Sequence, residues 1–154
     1  MSVVTFKATS RNLPTGLAVE NVARGFRVVM DEPKELGGSD TGMNPVEMLL
    51  CALGSCQVIV AKSFAKAHGI DLHDFLVVLE GDLDPDGFLK GKPGVRPGFQ
   101  EIRFAFYLET NASQDKVDQF VEFIKSRCPV GDTLLNGVRI VQSDVVVRRS
   151  TVYA

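Results

Sequence analysis

Three cysteines stand in the chain, Cys51, Cys56 and Cys128. Two of them fall in the apolar stretch "LLCALGSC", and the third in "RCPV". A buried thiol is usually inert filling, so a reactive role has to be weighed against that reading. Cys51 and Cys56, if helical, point about 140° apart around the axis, so at most one of them belongs to a given site. Cys56 shares a side with Leu49, Leu53 and Val60, whereas Cys51 looks elsewhere and reads as core filling. Cys128 ends the apolar stripe Val117–Phe120–Val121–Ile124 and points to the interior surface of its helix. Two core-facing thiols on two helices can meet, but a bridge needs Cα atoms within about 7 Å. Inert filling and a reactive pair both stay open on the residues alone.

Position separates the roles such a pair would have. Attack on a peroxide needs a thiolate, and an ordinary thiol pKa of about 8.5 leaves little of it at neutral pH. Cys56 lies mid-helix and would need an arginine close by. Cys128 sits at a helix C-terminus, where the dipole disfavours negative charge. It suits the second thiol, which condenses with a sulfenic acid on the first.

The elements that position these groups are legible in part. Val4, Phe6 and Ala8 alternate with polar residues as a strand does, and Leu17–Val22 and Phe26–Met30 read as two more strands split near Arg24 and Gly25. A polar, glycine-bearing loop spans Asp31–Asn44. Asn44, Pro45 and Glu47 then form a helix start, with Glu47 placed to close a capping box, and Gly69 is the stop after a helix reaching about His68. That helix is apolar all round, which predicts a central element partly covered by a second subunit. Phe75–Leu83 and the run around Ile102–Leu108 read as strands, joined by an exposed excursion, Asp84–Gly98. An amphipathic helix follows Asn111 and is ended by Pro129, and Val138–Val147 reads as closing strands. The order predicts an α+β fold, with antiparallel sheets packed on a long central helix, in a single domain spanning residues 1–154.

Bulk properties narrow the function. The 154 residues are 45% hydrophobic and 23% charged, with a net charge of -2 and no basic run, which argues against nucleic acid as a partner. "MSVVTFKATS" lacks the layout of a signal peptide, and the uncharged stretch 48–61 is too short to span a bilayer, so a cytoplasmic protein with no membrane partner is expected. Three cysteines without an export signal argue against a structural disulfide framework. There is no Cys-x-x-Cys, and His68 and His73 straddle a helix stop, so no metal site or cofactor is expected. No phosphate-binding glycine motif opens a helix.

"ELGGSDTGMNPVEMLLCALGSC" followed some seventy residues on by "RCPV" resembles the OsmC/Ohr family, named for osmotically inducible protein C and organic hydroperoxide resistance protein. The resemblance covers most of the chain. It implies an intertwined homodimer and reduction of organic hydroperoxides to alcohols by a thiol pair without metal. Cys56 would be the peroxidatic cysteine and Cys128 the resolving one, with the disulfide reduced by an external dithiol, a lipoyl protein in some members. Two features depart from the pattern. Peroxidase members commonly carry Glu directly after the helix-start proline, where this chain has Val46, and Glu47 comes one position later. "ALGSC" in place of "AACF" points to the less characterised OsmC-like branch. Glu47 is accordingly a candidate both for the cap and for positioning an arginine. The arginine is expected from the N-terminal strands or the following loop, with Arg11 the choice, Arg27 the reserve and Lys34 a weaker substitute. The alternative is a dimer of the same fold without efficient peroxidase activity, binding a small apolar ligand in the same cleft.

Overall fold

In a computed structural model, residues 2–147 are described. Strands β1 (Thr9–Asn12), β2 (Val19–Ala23) and β3 (Phe26–Met30) form an antiparallel meander. Its second hairpin turns on Arg24 (φ 53°) and Gly25 (φ 86°), two consecutive left-handed residues, the geometry whose twist matches that of paired strands. The expected strand at Val4–Ala8 does not form. Val4 and Phe6 are exposed and no neighbour pairs with them, because alternation without a partner does not make a strand.

The loop after β3 is tied down by Asp31. Its buried carboxylate accepts hydrogen bonds from the backbone N–H of Glu32, Ser39 and Thr41 and from the Thr41 hydroxyl. Burial raises the Asp31 pKa, but these four donors outweigh it and hold the carboxyl below its usual range. The loop thereby delivers Asn44 to the start of helix α1 (Pro45–Phe64). The capping box forms as the residues dictate. Asn44 Oδ1 accepts from Glu47 N–H at 2.9 Å, and Glu47 Oε2 accepts from Asn44 N–H at 2.8 Å. The α-helix ends at Phe64, a 3-10 turn covers Lys66–His68, and Gly69 closes it in the left-handed conformation.

Strands β4 (Leu72–Asp82) and β5 (Glu101–Thr110) make a second, two-stranded antiparallel sheet on which α1 packs. Gly54 sets their spacing. A Cβ there would stand 2.7 Å from Leu79 Cδ1. Helix α2 (Pro85–Leu89) occupies part of the β4–β5 connection. Helices α3 (Gln114–Arg127) and α4 (Pro129–Asn136) cover the other side of α1. Phe120 and Ile124 from the α3 stripe are fully buried against Val60, Ala61, Ala65 and Ile70, each side chain stabilising by about 1.5–3 kcal/mol. By length and composition α1 would suffice to cross a membrane, yet it is the core helix here, burying Leu53, Gly54, Gln57, Val60 and Ala61.

Two expectations at the C-terminal end are corrected. Pro129 ends α3 but also starts α4, since proline at the first helical position loses no hydrogen bond. No strand forms over Val138–Val147, which is exposed and unpaired. Cys51 is not core filling either. It is exposed, with its Sγ 3.8 Å from Met43 Sδ.

The meander β1–β3 makes at most isolated contacts with the helices of its own chain. Phe26, Val28 and Val29 of β3 remain exposed, as do Ile59 on α1 and Leu76 and Val78 on β4.

Placing a branched side chain at residue 54 forces α1 off β4. Gly54→Val is expected to lower unfolding free energy by about 1–3 kcal/mol, measured by urea denaturation of the reduced protein.

Candidate active site

Cys56 lies in the fourth turn of α1, just after the buried Leu53 and Gly54. Cys128 is fixed by a different device. The residue before a proline is driven out of helical geometry, and Cys128 adopts φ -80°, ψ 106° between α3 and α4. This corner turns its side chain inward, leaving it 1% exposed. Cys128 is at once the end of α3 and the N-cap of α4, its sulfur accepting a hydrogen bond from Gly131 N–H at 3.3 Å. The helix-end reading made from sequence is thus half of the picture, because the start of a second helix faces the same sulfur.

Cys56 lies close enough to Cys128 to act on its ionisation. Burial pushes the Cys128 pKa up from 9.0, and the neighbouring Cys56 pushes it further. The N–H groups of Gly131 and Val130 pull the other way, and the balance is about 11. At neutral pH Cys128 therefore keeps its proton. All three cysteines are unbridged.

Cys128 opens on a cavity of about 640 Å³ between α1, α4 and the loop preceding β5. Leu49, Leu53, Phe99, Ile102, Phe104 and Leu134 give it a mainly apolar wall. Of its charged groups, Lys125 pairs with Glu122 at 2.7 Å and Glu101 with Arg103 at 2.7 Å. Arg96 has no ion-pair partner among the described residues. Gln57 completes the polar lining. It is 2% exposed, and its Oε1 has no hydrogen-bond partner among the described residues. Such a group costs about 1–3 kcal/mol of stability.

The other sequence candidates lie elsewhere in the chain. Glu47 is exposed and its carboxylate serves the cap of α1. Arg11 is exposed on β1 opposite Glu20. Arg27 binds Glu20 at 2.7 Å, and Lys34 is exposed in the loop before α1. None of the four lines the cavity within one chain. Arg96 and Gln57 were not singled out from the sequence. Arg96 lies in a proline- and glycine-bearing excursion with no periodicity to orient it. Gln57 did leave a signal, a polar side chain one turn after Leu53 and one before Ala61, at core spacing.

A mainly antiparallel α+β fold that brings a mid-helix cysteine against a Cys-Pro corner agrees with what sequence comparison finds. The OsmC-like protein family is matched over residues 37–143, and the chain belongs to that family. A hydroperoxide reductase of Mycoplasma genitalium is 25% identical over 121 residues, covering 76% of this chain and 78% of that protein. An OsmC-like protein from Mycoplasma pneumoniae superposes with a TM-score of 0.76 at 21% identity, over 87% of this chain and 89% of the other. The organic hydroperoxide resistance protein OsmC of Legionella pneumophila has the same fold, with a TM-score of 0.61 at 20% identity, over 87% and 91% of the two chains.

The raised pKa of Cys128 has a consequence for stability. A thiol that ionises at higher pH when folded than when unfolded stabilises the fold below the unfolded pKa, and that contribution is lost as pH rises toward the folded value. Reduced protein is expected to lose stability between about pH 9 and pH 11. Cys128→Ala should flatten that slope when urea midpoints are compared at pH 7.5 and pH 10.5.

Proposed function

We propose that this protein is a thiol-dependent peroxidase that reduces organic hydroperoxides. The observation that carries the reading is a Cys56 near enough to perturb a buried, protonated Cys128 that lines an apolar cavity. Two curated relatives at 25% and 26% identity bear the name hydroperoxide reductase, which supports it. The Cys56 thiolate attacks the terminal peroxide oxygen. The S–O bond forms as the O–O bond breaks, and the departing alkoxide takes up a proton to leave as the alcohol. Cys56 is then a sulfenic acid. Cys128 attacks that sulfur, the S–S bond forms, and water carries off the hydroxyl with the Cys128 proton. An external dithiol returns the disulfide to two thiols. The division of labour follows from position: Cys56 is the more accessible of the pair, and Cys128 holds its proton until a sulfenic acid stands beside it. The apolar wall favours a peroxide with a hydrocarbon substituent over hydrogen peroxide. Arg96 supplies positive charge to this cavity. Arg11 contributes where a second copy brings its N-terminal sheet to the site, and Glu47 acts through the cap of α1.

The working unit is a homodimer. A meander that covers no helix of its own chain, with apolar residues exposed on β3, α1 and β4, is surface for a second copy. Sedimentation at micromolar concentration should give twice 16.8 kDa, and a monomer would contradict the assembly.

One observation favours a second reading, a dimer that binds an apolar ligand without efficient peroxidase activity. Val46 follows the helix-start proline, and the nearby carboxylate of Glu47 is engaged in the cap. Addition of about one equivalent of an alkyl hydroperoxide separates the two. The peroxidase loses two thiols and two hydrogens of mass per chain. Cys56→Ser abolishes the reaction, and Cys128→Ser stops at one added oxygen. Unchanged thiols with retained binding of an apolar ligand would support the second reading, and neither outcome would leave a purely structural dimer.

A further inference from the structure

Gln57 carries an inference that rests on the peroxidase reading and deepens it. Its amide oxygen is buried, and the residue lines the same cavity as Cys128, on the helix turn that holds Cys56, yet no donor among the described residues reaches that oxygen. A buried acceptor without a donor weakens a fold and is kept where something else fills the bond. The neighbours that line the cavity beside it, Leu49 and Leu53, are apolar and offer no donor. The missing partner is a ligand group bearing an O–H or N–H.

We infer that Gln57 is a substrate-binding residue whose Oε1 accepts a hydrogen bond from the O–H of the hydroperoxide. This bond holds the terminal oxygen, the atom that the Cys56 thiolate attacks, and selects substrates that carry a free hydroperoxyl group. The hydrogen stays on that oxygen through the transfer. The O–O bond breaks, the oxygen and its hydrogen pass to Cys56 as the sulfenic acid, and the same amide oxygen then accepts from the sulfenic O–H. Gln57 thus serves the substrate and the first intermediate with one acceptor.

Gln57→Leu keeps the size of the side chain and removes the acceptor. Pre-reduced wild type and variant are mixed with tert-butyl hydroperoxide, and the second-order rate of thiol loss is measured. In parallel, both are treated with methyl methanethiosulfonate, a thiol reagent with no hydrogen-bond donor, and thermal midpoints are recorded. The expected result is a fall of about tenfold in the hydroperoxide rate, an unchanged methanethiosulfonate rate, and a midpoint equal to or above that of wild type. An unchanged hydroperoxide rate overturns the inference, because a water would then suffice for the amide. Equal falls with both reagents overturn it by assigning the amide to the thiol itself, and a lowered midpoint assigns it to packing. Wild type whose thiols resist the hydroperoxide but react with methanethiosulfonate would remove the peroxidase reading, and this inference with it.

Discussion

The site depends on a single steric constraint, the refusal of a residue before proline to stay helical. Without Pro129, the helix that buries Phe120 and Ile124 would run on, and Cys128 would continue its stripe as another core residue. With it, the chain breaks at Cys128, turns, and restarts as α4. The break aims a sulfur at α1 and supplies Gly131 N–H to hold it. Backbone geometry, and not a run of polar side chains, places this thiol.

The electrostatics follow from that placement. A sulfur removed from water resists ionisation, and a second thiol nearby strengthens the resistance, although the N–H groups at the start of α4 oppose both. The two cysteines are thereby made unlike. One lies partly accessible on a core helix, and the other is sealed and protonated. A pair of chemically equivalent thiols would have no preferred order of reaction.

Much of this was legible in the residues. Asn44, Pro45, Glu47 and Gly69 mark the ends of the central helix because caps are local chemistry. The stripe ending in Cys128 gave its inward direction because helical periodicity is local too. Strand patterns succeeded where a partner strand existed, as at Phe26–Met30 and Ile102–Leu108, and failed at Val4–Ala8 and Val138–Val147, where alternation met no neighbour. Pro129 was read only as a terminator, although proline serves equally well as an initiator. Arg96 is hidden because the loop that carries it has no periodicity to orient it; the structure holds that loop by hydrogen bonds such as Gln100 Nε2 donating to the Arg96 carbonyl at 3.1 Å. The catalytic roles of Arg11 and Glu47 are expected only from the family resemblance. Within one chain they occupy a sheet surface and a helix cap.

The N-terminal meander has no helix of its own to rest on. Its exposed β3 is a surface that a second copy covers in the proposed homodimer and that other unfinished chains can also reach. Once folding and pairing share one free energy, the folded fraction depends on how many copies are present. For the proposed homodimer, dilution then acts against the fold as heat does.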